Sequence, residues 1–266
     1  MLRPFPQYGD INVHGTSGGN SFYNSGTIKA QKRFTRGVTF LTSYTFSRML
    51  DDVIGQANFF GGVSNFALNS YDLGREYALS SIDTPHRYLI SGTYELPFGK
   101  GRRFFSESNF ADKLLGGWQL NAIGSFQSGF PLNVTQNTNN TRAFSGGQRP
   151  NAVAGVSAAT EGSVSDRIDA YLNPAAFSTA AEYTFGNLGR SIGVRTPSQQ
   201  NWDIGILKNT ALFESVRAQL RLEAINAFNT PVFRAPNTSF GNANFGRITS
   251  QANFARVMQV SLRLNW

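Results

Sequence analysis

Three observations predict an all-β fold, specifically an antiparallel portion of a transmembrane β-barrel. The last twelve residues, ARVMQVSLRLNW at 255–266, alternate apolar and polar side chains. Their length suits a tilted strand that crosses a bilayer, roughly 9 to 11 residues. The chain has 27 glycines, 23 phenylalanines and 9 tyrosines but 3 methionines, which is typical of strands, turns and aromatic belts. No run approaches the roughly 20 apolar residues of a transmembrane helix.

The composition is compatible with a membrane barrel although the chain looks polar on average. Only 40% of the 266 residues are hydrophobic, but a barrel wall turns only alternate side chains toward lipid. The absence of cysteine excludes disulfide frameworks, thiol nucleophiles and cysteine-ligated metal sites. The net charge of +8 is spread along the chain rather than gathered in one patch, so we expect no nucleic-acid partner.

A two-residue period predicts about seven meandering strands that cross the membrane. The final strand presents an apolar face made of Met258, Val260, Leu262, Leu264 and Trp266. Six earlier segments alternate in the same way, with apolar members Ile28 and Ala30; Val38, Phe40, Tyr44 and Phe46; Tyr88, Ile90, Tyr94 and Leu96; Trp118, Leu120, Ala122, Gly124 and Phe126; Trp202, Ile204 and Ile206; Val216, Ala218, Leu220, Leu222 and Ala224. Residues 208–210 read as the link between the fifth and sixth strands.

The opposite faces of the last two strands are polar and charged. These candidate lumen-facing residues are Arg217, Gln219, Arg221, Glu223, Gln259 and Arg263. Charged side chains at successive inward positions predict a wet or polar barrel interior. We expect this row to meet water or an internal domain, and contact with a transported ligand stays open.

The connections differ in length, and long ones alternate with short ones. The short and medium ones lie at about 34–37, 98–115 and 208–214, and the long ones at about 50–85, 130–198 and 228–254. Transmembrane barrels have short periplasmic turns and longer extracellular loops, so the long connections predict the outer end. Residues 135–196, rich in Asn, Ser, Thr and Gly, read as a mobile surface loop, and residues 5–13 as an outer loop or part of another strand.

The beginning of the sequence predicts that residues 1–266 are one C-terminal barrel segment of a longer protein. MLRPFPQYGD has no apolar core of a signal peptide. Bacterial single-chain barrels have an even number of strands, at least about 8, whereas seven are predicted here. We therefore expect a signal peptide and further strands to be missing from this sequence.

The chain resembles the C-terminal barrel of TonB-dependent outer-membrane transporters, in particular the Oar-like group with a carboxypeptidase-regulatory-like domain. The resemblance covers nearly the whole sequence and lies in seven stretches that occur in the same order. They are SFYNSGTIKAQKRFTRGVTFLTSYTFSRMLDD at 21–52, DTPHRYLISGTYELPFGKGRRF at 83–104, LLGGWQLNAIGSFQSGFPLNV at 114–134, YLNPAAF at 171–177, FGNLGR at 185–190, RLEAINAFNTPVF at 221–233 and FGRITSQANFARVMQVSLRLNW at 245–266.

The resemblance implies a barrel of about 22 strands with a plug in its lumen, in the outer membrane of a Gram-negative bacterium. It implies energised uptake of an unknown ligand captured by the long outer loops. It also implies that an N-terminal domain and the plug are missing from this sequence, and contact with the TonB complex would pass through that missing upstream part. The strand that ends at Trp266 would be the signal read by the barrel-assembly machinery, and its apolar side chains would also face outer-membrane lipid.

Candidate sites of other chemistry are weak. His86 and Asp83 could join a serine in a hydrolase triad, but no G-x-S-x-G elbow exists, so we expect no catalytic residue and no enzyme activity, with His86 at the outer rim. The carboxylates of Asp51, Asp52, Asp166 and Asp169 lack calcium-loop spacing and read as solvated loop residues. We expect no metal and no cofactor.

Two alternatives to transport remain open from sequence. A structural or adhesive outer-membrane barrel would share the same wall and differ upstream. A soluble all-β binding protein would instead bury Trp118, Trp202 and Trp266 in a core.

Overall fold

The structure, a computed structural model, describes residues 19–52, 67–69, 72–99, 101–104, 114–142, 147–213 and 216–266. The segment at 5–13, interpreted above as an outer loop or strand, lies outside these residues, as does much of the connection at 50–85. In the described part of the chain, no helix has the length and hydropathy needed to cross a membrane.

Seven long strands form one antiparallel sheet, which we call the wall. They are β1 (Ser21–Thr35), β2 (Val38–Asp51), β3 (His86–Glu95), β4 (Trp118–Gln127), β5 (Gln199–Ala211), β6 (Arg217–Ile225) and β7 (Val257–Asn265). Each strand pairs with the next along the chain, and the two-residue strand Ala78–Leu79 adds to β2 at one end. The predicted all-β class and the seven meandering strands are confirmed. Within the described residues, β1 and β7 are not paired with each other, so the sheet is open.

The strand register preserves the predicted alternation across the wall. One row of directly opposed residues runs Gln259, Glu223, Gly205, Asn121, Thr93 and Thr39 from β7 to β2, and we call the face that carries it the polar face. The neighbouring row runs Val260, Leu222, Ile206, Leu120, Tyr94 and Val38, on the apolar face. Because successive side chains of a strand point to opposite faces, the register places every alternating segment consistently.

The connections lie at the two ends of the wall as predicted. The short and medium ones join β1 to β2, β3 to β4 and β5 to β6 at one end, and the three long ones lie at the other. The turn after β1 consists of Arg36 (φ 53°) and Gly37 (φ 82°), a two-residue hairpin with two positive φ angles that matches strand twist.

Two boundaries differ from the sequence interpretation. Residues 208–210 belong to β5 rather than to a link, because they pair with Leu220, Gln219 and Ala218 of β6. Asp51 is the last residue of β2 rather than part of a solvated loop, and it is buried. In both places the residues are polar, which is typical of turns, but they pair with a neighbouring strand, and the strand therefore continues through them.

The hydrophobic core lies in the long connections and not in the wall. Its buried members are Leu132, Val134, Tyr171, Leu172, Ala176, Phe177, Leu188, Phe245 and Ile248. We call the described parts of these connections, 67–85, 128–198 and 226–256, the roof. The described parts of residues 135–196 are not only a surface loop, because they contribute to this core and even their polar members Gln136 and Thr141 are buried.

Candidate functional site

The candidate lumen-facing residues come together in one two-stranded patch of the polar face. Gln219 lies opposite Arg263, Arg221 opposite Ser261, and Glu223 opposite Gln259, while Arg217 faces Asn265. The Arg221 guanidinium forms an ion pair with Glu223 at 3.1 Å, and the Gln219 amide donates to the Asn209 side chain at 2.9 Å. The residues share a face as the alternation predicted, and their exposure to a lumen stays a prediction.

The candidate assembly strand β7 presents a fully apolar row on the other face. Its residues Met258, Val260, Leu262 and Leu264 lie opposite Ala224, Leu222, Leu220 and Ala218 of β6. Trp266 follows the end of the strand and is 92% exposed. Transfer of such a row from water into lipid is favourable, by about 25 cal/mol per Å² of apolar surface removed from water. Recognition of this strand by the assembly machinery stays a prediction.

Aromatic rings form a belt on the apolar face below the long connections. The ring centroids of Tyr88 and Phe126 are 5.8 Å apart, and Trp202 lies 5.8 Å from Phe126 and 6.4 Å from Phe228. The Trp202 ring lies over Gly124, where a Cβ atom would come within 2.9 Å of it. Glycine is therefore required at this position to seat the indole.

A second amphipathic contact marks the opposite end of the wall. The Lys208 ammonium lies 4.9 Å from the centre of the Trp118 ring and donates to the carbonyls of Leu114 and Gly116 at 2.8 and 2.9 Å. From Trp118 to Phe126, eight residue steps span roughly 26 Å along the strand. With a strand tilt of about 35–45°, the two aromatic levels are about 20 Å apart, close to the roughly 25 Å apolar band of outer-membrane barrels.

Three arginines of the roof form ion pairs with carboxylates that are almost completely buried. Arg149 pairs with Glu76, Arg190 with Asp51, and Arg195 with Asp83. The three carboxylate side chains are 0%, 7% and 1% exposed. Removing one partner of such a buried pair leaves an uncompensated charge, so these pairs make the arrangement of the long connections strongly dependent on both partners.

One of the three ion pairs, Arg190–Asp51, joins the roof to the polar-face side of the wall, and the other two join segments within the roof. Asp51 shares the polar face because it lies opposite Ser21, in phase with the Thr27–Thr45 pair. Arg190 binds both the carboxylate and the carbonyl oxygen of Asp51, and it also donates to the carbonyls of the two-residue strand that extends β2. The longest connection is therefore bound to the end of β2 on the polar side.

Comparison with known families identifies this architecture. A family model described as "Outer membrane beta barrel domain" matches residues 1–259. The chain belongs to this family. Membership implies an outer-membrane location in a Gram-negative bacterium. Comparisons with curated proteins and with solved structures give no match.

The weak metal candidates are engaged with protein donors in this barrel domain. Asp51 binds Arg190, Asp52 accepts from the backbone N–H and side chain of Asn20 at 2.6 and 2.8 Å, and Asp169 pairs with Arg247 at 3.2 Å. Asp166 accepts from Ser163. No group of three or more potential ligands occurs among the described residues.

His86 lies at the end of the wall that carries the long connections, and its place at the outer rim stays a prediction. Its Nδ1 atom lies 2.7 Å from the Tyr44 hydroxyl, and its ring packs against Phe46 at 5.4 Å between centroids. Asp83, the imagined triad partner, is bound to Arg195 and to the backbone N–H of Met49 instead. The structure does not bring His86 and Asp83 together as hydrogen-bond partners.

The pKa values of two side chains, Asp52 after β2 and Tyr171 in the roof, are shifted. The hydrogen bond from the Asn20 side chain lowers the pKa of Asp52 by stabilising its carboxylate. Burial raises the pKa of Tyr171, whose hydroxyl donates to the Arg195 carbonyl at 2.8 Å. Near neutral pH, the lowered pKa keeps Asp52 ionised and the raised pKa keeps Tyr171 protonated.

Sequence reasoning missed the arginines that organise the roof. Arg149, Arg190 and Arg195 are separated from their carboxylate partners by 73, 139 and 112 positions. No local spacing connects residues so far apart, and the surrounding Gly-, Asn- and Ser-rich composition is typical of solvated loops.

Proposed function

We propose that this barrel domain is the C-terminal part of a TonB-dependent, Oar-like transporter and contributes to ligand binding and uptake across the outer membrane. The observation that supports this best is the roof. Its long connections have their own buried core, are joined to one another by buried ion pairs, and are attached to the polar-face side of the wall by the Arg190–Asp51 pair. A ligand that enters from the outer end would meet this folded surface first, whereas a purely structural wall has no need of one.

The open wall supports a larger closed barrel. β1 and β7 each have one edge without a partner strand among the described residues. Unpaired backbone groups in hydrocarbon cost several kcal/mol each, so membrane sheets close on themselves. Seven strands would therefore be completed by others, which fits the large barrel implied by the sequence resemblance.

The proposal defines the partners of each surface. The apolar face would contact outer-membrane lipid, and β7 with Trp266 would be recognised by the barrel-assembly machinery. The polar face would line the lumen, and the TonB complex would act through a part of the protein upstream of this sequence. The proposal includes no catalytic role and no nucleic-acid partner.

The upstream gene sequence provides the first test. We would read the genomic DNA before the codon for Met1. An in-frame extension that encodes a plug, a TonB-contacting segment and further alternating strands is the expected result. An extension that encodes an adhesive domain without a plug would contradict transport and favour the adhesive alternative.

A biochemical test addresses coupling directly. The full-length protein, cross-linked in cells and purified from the outer membrane, should carry TonB when the upstream segment is intact and lose it when that segment is deleted. Equal recovery of TonB from both preparations, or from neither, would contradict the proposal.

A further inference from the structure

The outer end of the polar face contains a pocket formed by two rows of the wall. Arg87, Gln127 and Gln199 are directly opposed across β3, β4 and β5, and the next row is Leu89, Ser125 and Asn201. These six residues line a cavity of about 160 Å³. Val232 of the roof lines the same cavity and is itself buried. We call this cavity the mouth pocket.

Side chains of the mouth pocket differ in their hydrogen bonding from two pairs of threonine hydroxyls further along the polar face. In those pairs, Thr27 with Thr45 and Thr39 with Thr93, the hydroxyl oxygens of neighbouring strands lie 3.0 and 2.5 Å apart.

In the pocket, four polar side chains form no hydrogen bond or ion pair with any other described residue. They are Arg87, Ser125, Gln127 and Gln199. Polar groups that converge on a cavity without protein partners are available to a ligand.

The charge of the pocket indicates what kind of group it accepts. Among the described residues that line it, Arg87 is the only charged one and none carries a carboxylate. The nearest acid along β5, Asp203, does not line the cavity. It lies two residues beyond Asn201, and its carboxylate accepts from the Asn226 N–H and the Asn201 amide, both at 2.9 Å. A guanidinium is planar and binds a carboxylate through two parallel N–H donors.

We propose that the mouth pocket binds a carboxylate group of the transported ligand. Arg87 would bind the carboxylate, and the Gln127 and Gln199 amides would bind hydroxyl or amide groups beside it. The strands are about 4.8 Å apart, so the three side chains present donors along roughly 10 Å. The cavity has the volume of about five water molecules at ~30 Å³ each, which fits the end of a larger ligand. This inference rests on the transport function proposed above.

Two ligand sources share this chemistry, namely a peptide C-terminus and an acidic sugar. The test uses outer-membrane vesicles that contain the full-length protein, with equilibrium dialysis of four labelled probes. They are trialanine, trialanine amide, galacturonic acid and galactose. Trialanine against its amide tests the peptide source, and galacturonic acid against galactose tests the sugar source.

Arg87→Gln is the informative variant, and Arg48→Gln is its matched control. Arg48 is also an exposed arginine near the outer end of the wall, but it lies opposite Asn24 on the apolar face. Loss of the charge-assisted contact at Arg87 should weaken binding of the carboxylated probe about tenfold or more. The Arg48→Gln variant should bind as the unchanged protein does. Heat-dependent electrophoretic mobility verifies that each variant is a folded barrel.

Four outcomes would overturn the inference. They are equal binding of the acid and its neutral analogue, equal loss in both variants, no loss in Arg87→Gln, and no binding of either acid to a folded barrel. None of these outcomes bears on TonB coupling, which the cross-linking experiment tests separately.

Discussion

The wall and the roof are built on opposite principles, although they belong to one chain. The wall pairs strands that are neighbours in sequence and exposes its large apolar side chains, such as Met258 at 70% and Val260 at 67%. The roof joins segments more than a hundred residues apart and buries both apolar and charged groups, including Leu172 and Glu76 at 0%. The wall therefore depends on backbone pairing, and on lipid in the function proposed above, whereas the roof depends on its own core.

The largest effect should come from breaking a buried charge pair of the roof. Glu76→Gln leaves Arg149 without its carboxylate, and this should destabilise the roof by about 3–5 kcal/mol. Protease digestion of outer-membrane vesicles should then cut the roof while the wall stays folded by electrophoretic mobility.

Glu182→Gln is the matched control for that change. Glu182 pairs with Arg142 at 3.0 Å, but both side chains are more than half exposed, so the loss of roof stability should be much smaller. Equal protease sensitivity of the two variants would show that the buried pair contributes no more to the stability of the roof than the exposed pair does.

The next effect separates the two kinds of apolar residue. Leu172→Ala in the roof core should cost about 2–5 kcal/mol, because it leaves a cavity where the side chain was fully buried. Leu262→Ala on the exposed row of β7 should leave the roof unchanged. Hydrogen exchange of residues 130–198 measures both, and an effect of Leu262→Ala on those amides would contradict the separation of wall and roof.

A smaller effect tests the packing of the wall itself. Gly124→Ala would place a Cβ atom 2.9 Å from the Trp202 ring and from Ile90, so the indole must move, at a cost of about 1–3 kcal/mol. Gly26→Ala is the control, because no atom lies within 4 Å of its added Cβ. The measurement is the temperature at which the electrophoretic mobility changes from that of the folded to that of the unfolded protein. Equal temperatures for the two variants would contradict the packing of Trp202 against Gly124.

The smallest effect concerns the pH dependence of the roof. Burial raises the pKa of Tyr171, so the folded roof keeps the phenol proton at a pH where the unfolded chain has lost it. This contribution is complete below about pH 10 and is lost as pH rises above it. Protease sensitivity of the roof should therefore increase above about pH 10 in the unchanged protein.

Tyr171→Phe should remove that alkaline dependence, because phenylalanine has no proton to lose. Tyr183→Phe, which changes a tyrosine that is 66% exposed, should follow the unchanged protein. If the protease sensitivity of the roof still increases at alkaline pH in Tyr171→Phe, a different titrating group causes the effect.

Sequence alone predicted the wall well, and the reason is local. Alternation along β6 and β7 determines which side chains share a face, since one face of Arg217–Ile225 is charged and the other apolar. The positive-φ pair Arg36 and Gly37 occupies the short turn predicted at 34–37. Strand ends were less certain, because residues 208–210 are polar and only the register with β6 assigns them to a strand.

The sequence by itself determined the all-β class, the number of strands, the two faces and the division into short and long connections. Each follows from a period of two residues or from a local turn. Only the tertiary structure decided that the described parts of residues 135–196 form a core, that Arg190 reaches Asp51, and that Arg87, Gln127, Gln199 and Val232 line one cavity. These contacts join distant segments, and no periodicity in a chain specifies which distant residue completes a buried charge or lines a cavity.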